Sequence, residues 1–326
     1  MWNVDSVRRR LARGVQQYAL VVLLLSCVSG VELMLSCFCA WGQSAAQPEN
    51  LAAAHDSLEI QRLLELARHA LQQTDYPRAD SLASQALYLA EDLQQLHLQA
   101  HALRLIGIAK RRLDRYDEAL SAHARSLALA ERLNDLYLKT LAQGNLALIY
   151  HSKGFYEKAV VHNFLALKGY EELNDNSGAA ITLNNLAIIY SDQKRYDDAL
   201  AYYQRARLLF EEIADTMKSI STMISTASLY KHLGKPTLAF DSIAIALKRA
   251  QAFGDSMLIA DALSTMGDLY KEEHPRFAIA CKHDALAIYQ HFSDIPSQTL
   301  VLRDIAALLL SRNQATHALD YATKKS

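Results

Sequence analysis

The sequence predicts an all-α fold, an array of stacked antiparallel helix pairs, and three observations predict it. Turn-forming residues are scarce: 11 Gly and 5 Pro in 326 residues, roughly half their usual share. An all-β chain needs a turn every ten residues or so, so that class is excluded, as are collagen-like and disordered chains. Second, the chain matches itself when offset by 40. "GNLALIY" at 144–150 returns as "NNLAIIY" at 184–190, "ISTASLY" at 224–230 and "STMGDLY" at 264–270. Third, each unit holds two runs with helical apolar spacing, and one such hairpin buries its apolar face only by stacking on a neighbour.

The chain opens differently from the way it continues. Arg8, Arg9, Arg10 and Arg13 precede an apolar run from Tyr18 to Trp41, interrupted by Glu32, and small residues (Ser44, Ala45, Ala46) follow. Basic start, apolar stretch and small residues are the order of a secretory signal peptide. An uncleaved N-terminal membrane anchor is the alternative, although an acid within a span is costly. Either way, residues 1–46 are expected to direct export to a periplasmic or other extracytoplasmic location, with 47–56 as a linker. Without residues 1–46 the basic and acidic counts are 30 and 33. The chain lacks the basic surplus of a nucleic-acid binder. Only Cys281 then remains, which excludes an intramolecular disulfide and reads as a small buried hydrophobe.

From about Ser57 the units follow in register. A small residue recurs as Ala67, Gly107, Ala147, Ala187, Ala227, Gly267 and Ala306, with Tyr150, Tyr190, Tyr230 and Tyr270 three positions on. A second small position recurs as Ala79, Ala119, Ala159, Ala199, Ala239, Ala278 and Ala318, preceded in four copies by Tyr76, Tyr116, Tyr156 and Tyr196. Small residues on a helix face let the next helix approach closely, and the aromatics are expected to fill the space between pairs. Acids stand at the start of several second helices (Asp117, Glu118, Glu157, Asp197, Asp198), where they complement the helix dipole. Asp135, Asp175, Asp215, Asp255 and Asp294 close successive units, each placed to cap the next helix. The copy ending at Asp294 is one residue short. Prolines fall at joints or in the linker, where no helical hydrogen bond is lost.

The spacing of "LALIY" with the later "YEKA" resembles the tetratricopeptide repeat. It covers about Ser57 to the C-terminus as six full repeats and an incomplete seventh, without the Trp that usually starts the motif. A 40-residue period resembles the subclass of kinesin light chains and bacterial pheromone receptors. The resemblance implies a right-handed superhelical solenoid whose concave groove is lined by the first helix of each pair. It also implies a role in holding a protein or an extended peptide. The seventh unit's second pattern begins near Thr316 and stops at Ser326, so the chain is expected to be part of a longer protein, with an effector domain beyond that end.

No Gly-rich phosphate loop, H-E-x-x-H, G-x-S-x-G or Cys-x-x-Cys is present, so no catalytic residue, metal site or cofactor is expected. His97 and His101 sit four apart with no third ligand at useful spacing and read as polar residues beside a joint. The groove is the candidate site. Projecting the family's inward positions selects Arg104, Ile108 and Arg111, then Asn145, Leu148 and His151, then Asn184, Asn185, Ile188 and Ser191. Ser228 and Lys231 follow, with Asp268 and Lys271 in the sixth unit. Asn145 and Asn185 are equivalent, and an amide that donates and accepts at once can grip a peptide backbone. Arg104, Arg111 and Arg112 form a basic end suited to an acidic ligand. Two functional classes follow: a stand-alone exported scaffold, or the sensory input region of a histidine kinase or transcription regulator, with membrane contact only through the N-terminal segment.

Overall fold

A short acid ahead of a helix and a left-handed residue behind it shape the joints of this fold. The computed structural model describes residues 48–310, with side chains from Asp56 on. The leader, Ala318 and the second pattern of the seventh unit lie outside the described residues. Thirteen α-helices and no strand are found among the described residues. They are α1 (Pro48–Gln72), α2 (Tyr76–Asp92), α3 (Leu96–Arg112), α4 (Tyr116–Arg132), α5 (Leu136–Ser152), α6 (Tyr156–Glu172) and α7 (Asn176–Asp192). They continue as α8 (Tyr196–Glu212), α9 (Thr216–His232), α10 (Pro236–Phe253), α11 (Ser256–Tyr270), α12 (Pro275–His291) and α13 (Ile295–Leu310). Odd-numbered helices are the first of each pair. The helices from Ile60 on form one compact unit. The stretch 47–56, expected as a linker, is instead helical from Pro48. Proline is tolerated in a first helical turn, and Ala52, Ala53 and Ala54 are the strongest helix formers.

The capping acids do what their spacing predicts. The Oδ1 atoms of Asp135, Asp175 and Asp255 accept the backbone N–H three residues on at 2.9, 2.9 and 3.0 Å, and those of Asp215 and Asp294 at 3.1 and 3.3 Å. Each such cap contributes about 1 kcal/mol. Asp75 does the same for α2 at 3.2 Å. Behind the helices, most joints hold one residue with positive φ. Only Gly154, Gly234 and Gly254 are glycines; Thr74, Gln94, Asp114, Asn134, Asn174, Lys194, Ala214 and Ser293 hold φ between 51° and 60°. That conformation costs an L-residue roughly 1–2 kcal/mol. It is offset by hydrogen bonds that reach back five residues, as Asp135 N–H to Ala130 O at 2.9 Å and Asp215 N–H to Phe210 O at 2.8 Å. The α11–α12 joint has no such residue, and there the short copy has lost its position.

The small residues carry the packing. Ala67, Ala147, Ala187 and Ala227, and Ala79, Ala119, Ala159, Ala199, Ala239 and Ala278, are fully buried. Gly107 and Gly267 take the same first-helix register against larger partners. A Cβ at Gly107 would land on the His123 ring, and one at Gly267 would stand 2.9 Å from Lys282 Cγ. The aromatics pack both within and between pairs. Tyr150 stacks on His162 at 5.1 Å and Tyr190 on Tyr202 at 5.3 Å within a hairpin, whereas Tyr270 stacks on Phe240 at 4.3 Å across two. Ile60, Leu64 and Ala67 of α1 join Ala83 and Ala86 of α2 in the first core cluster. Later clusters run across successive units in the same way.

One buried position breaks the apolar rule. Ala83, His123, Asn163, Tyr203, Ile243 and Lys282 stand four residues after the second-helix alanine of their units, and all are buried. Lys282 is 1% exposed. Its ammonium donates to Ser264 Oγ at 3.1 Å and pairs with Asp268 at 2.9 Å and Asp304 at 2.8 Å, tying α12 to α11 and α13. His123 has both ring nitrogens buried without a partner. Burial, then the charges of Arg104 and Arg111, push its pKa down to about 3, so the ring is neutral.

Two substitutions test this packing. Ala187→Trp, at a site with no room for a side chain, is expected to lower the unfolding free energy by about 1–3 kcal/mol or more through overpacking, as read by a denaturant melt. Asp268→Asn with Asp304→Asn strands a buried ammonium and is expected to cost about 3–5 kcal/mol. Lys282→Met leaves two carboxylates that reach water and is expected to cost less, and the order of the two midpoints checks the assignment.

Candidate functional site

The inner face follows from which helices touch. From α2 on, consecutive helices pack together, and first helices of adjacent units also meet: α3 with α5, α5 with α7, and α9 with α11. Successive second helices do not pack to that extent. The array therefore closes toward its first helices, and their side chains line that side. Cross-links between adjacent first helices mark the stripe. His151 Nε2 lies 2.7 Å from Asp192 Oδ2, Thr222 Oγ1 donates to Asn184 Oδ1 at 3.4 Å, and Lys231 Nζ donates to the Asp268 carbonyl at 2.7 Å.

Arg104, Arg111, Asn145, Leu148, His151, Asn184, Asn185, Ser228, Lys231 and Asp268 are all half-buried on this stripe. Their availability differs. His151 and Asn184 are engaged with the next unit, Lys231 is hydrogen-bonded, and the Asp268 carboxylate is held by Lys282. Burial, and next the charge of Lys271, hold the Lys231 ammonium below its usual pKa. By contrast, neither Asn145 nor Asn185 has a hydrogen-bond partner among the described residues, nor do Leu148 and Ser228 offer more than an open surface. Burial, with Arg68 next in size, lowers the Arg104 pKa, and burial with Arg112 lowers that of Arg111. Both guanidinium groups remain charged.

Sequence reasoning missed Arg68 and Lys282. Arg68 occupies the register of Ile108, Leu148, Ile188, Ser228 and Asp268; continuing the 40-residue offset one unit back would have found it. Lys282 looks like a surface lysine in sequence, and only the Ser264–Asp304 cradle reveals otherwise. His97 and His101 stack at 6.0 Å between centroids, and His97 Nε2 lies 3.1 Å from the capping Asp135. Among the described residues no cluster of three His, Cys, Asp or Glu could hold a metal ion. No described helix is long and apolar enough to cross a membrane. Cys281 is a buried free thiol, its pKa pushed up by burial.

Comparison with known proteins agrees with this geometry. The family model described as Tetratricopeptide repeat matches residues 139–212, which takes in two hairpins from within α5 to the end of α8. No curated protein sequence matches the chain. Several solved structures share the fold. The apo form of the quorum sensor NprR from B. thuringiensis is 16% identical with a TM-score of 0.68, covering 99% of this chain and 95% of that one. A Rap protein complexed with Competence and Sporulation Factor is 15% identical with a TM-score of 0.64, covering 82% and 74%. A Signal Transduction ATPase with Numerous Domains from Pyrococcus horikoshii, which carries a tetratricopeptide repeat sensor, is 15% identical with a TM-score of 0.65, covering 81% and 41%. At these identities the likeness is one of fold. Residues 139–212 thus match the tetratricopeptide repeat, and the same helical hairpin is stacked before and after that matched pair.

Proposed function

We propose that the array is a non-catalytic scaffold that holds an extended peptide or a protein segment along the inner face of its first helices. The observation that carries this is the pair Asn145 and Asn185. They stand at equivalent positions on α5 and α7, half-buried on the groove side, and neither amide is used by the fold. Their neighbours Asn184 and His151 are both used. An Asn amide is costly in mid-helix, and an unused one presents a donor and an acceptor to a passing backbone. The likeness of the fold to a Rap protein complexed with a factor, and to a quorum sensor, supports a groove of this use. Leu148 between the two amides, and Ser228 beyond them, offer contacts that are sequence-tolerant.

The leader supports work outside the cytoplasm, in the periplasm or another extracytoplasmic space. A second reading, the sensory input region of a larger signalling protein, is supported by the likeness to a signal transduction ATPase with a repeat sensor. The sequence encoded past Ser326 separates the two: an apolar span with an effector region favours the second.

Asn145→Ala with Asn185→Ala is expected to reduce recovery of a co-purifying partner several-fold while leaving the melting curve unchanged; equal recovery would remove the asparagines from the groove. For export, N-terminal sequencing of protein from the cell envelope is expected to begin between about Gln43 and Gln47, whereas an intact Met1 in the membrane fraction would point to an anchor.

A further inference from the structure

The first two hairpins hold a charge arrangement unlike that of the other units. Arg68 of α1 and Arg104 and Arg112 of α3 line a pocket of about 380 Å³ whose apolar wall includes Leu71, Leu105 and Ile108. Arg104 and Arg112 have no carboxylate partner among the described residues, and Arg104 Nε is buried without any hydrogen-bond acceptor. Among the described residues Arg68 is paired with the exposed Glu65 of its own helix, at 2.7 Å. Acids of the same hairpins are spent on other cations: Asp80 and Glu118 close on Lys110 at 2.7 and 3.2 Å, and Glu91 on Arg125 at 2.7 Å. Two half-buried basic groups further along the stripe are answered, His151 by Asp192 and Lys231 by the Asp268 carbonyl. An arginine N–H buried without an acceptor is unfavourable, and like charges sharing one pocket add to that cost. A bound anion relieves both, and a guanidinium fork fits a carboxylate in a two-bond geometry.

We infer that this pocket is the anchoring end of the groove, taking a peptide carboxylate that lies beside an apolar side chain. The inference rests on the peptide-binding reading and adds ligand chemistry and polarity to it: the acidic end of the ligand lies at α1 and α3, and the remainder runs toward Asn145 and Asn185. The apolar wall distinguishes this from a site for a bare anion, since Leu71, Leu105 and Ile108 give no contact to inorganic phosphate.

The whole chain is titrated with a fluorescein-labelled heptapeptide of alternating aspartate and leucine, and with a copy carrying asparagine for aspartate and an amidated end. The acidic peptide is expected to bind about tenfold tighter or more, the scale of one charge-assisted contact. That preference is expected to shrink as salt screens it. Arg68→Gln with Arg112→Gln, both at exposed positions, is expected to abolish most of the preference while leaving the neutral peptide's affinity in place. Arg104→Gln is expected to do the same, and the exposed pair keeps the test decisive should that buried variant fail to fold. Inorganic phosphate is the third arm. Displacement of the acidic peptide by millimolar phosphate, but not by chloride at equal ionic strength, would assign the pocket to phosphate and overturn the peptide assignment. Equal binding of both peptides overturns the inference and leaves the groove reading intact. Binding of neither overturns it too, and the groove reading then stands or falls on the asparagine variant alone.

Discussion

The constraint on which this structure depends is the closeness of backbones at two small positions per unit. A helical hairpin of about 40 residues cannot cover its own apolar stripe, so each must lie against the next with little between them. Alanine with no exposed surface at Ala67, Ala147, Ala187 and Ala227, and again from Ala79 to Ala278, is the physical form of that requirement. At Gly107 and Gly267, which face the buried His123 and Lys282, even a methyl would collide with the facing side chain, and glycine stands there.

Close stacking also determines what the inner face has left to offer. Adjacent first helices come near enough for side chains about 40 residues apart to meet, and many polar groups are used in that way. A residue can therefore share this stripe and still be engaged by the fold itself. Asp268 is the clear case, since its carboxylate serves Lys282 and its carbonyl serves Lys231. The groups that remain unanswered, Asn145 and Asn185 in the middle and the arginines of α3 toward the first unit, are informative because their neighbours are satisfied.

Much of the fold was legible in the sequence. The capping aspartates, the buried alanines and the helix starts at Leu136, Asn176, Thr216, Ser256 and Ile295 all follow from local periodicity and cap chemistry, which act over a few residues. The start of α1 at Pro48 was missed because Pro, Glu and Asn before the alanines look like a linker, although proline suits a first turn. The candidate residues were legible as equivalent half-buried positions on successive first helices, and no further. Whether Asn184 or Asn185 is free depends on Thr222, 37 to 38 residues away, and on the rotation of α7 against α9. The burial of Lys282 depends on three helices at once. Neither leaves a mark in the residues' own neighbourhood. The left-handed residues at the joints were equally hidden, because Thr74, Lys194 and Ala214 carry no glycine signal.

The pattern of helix contacts has a mechanical consequence. Packing runs between consecutive helices and between first helices of adjacent units, so each hairpin is braced mainly by the one before and the one after. Tension applied along the chain would meet resistance one hairpin at a time and peel units from whichever end is less well braced, instead of rupturing a single core. The α11–α12 joint, where the left-handed residue is missing and Lys282 pins three helices together, is where such a yielding front would change its pace.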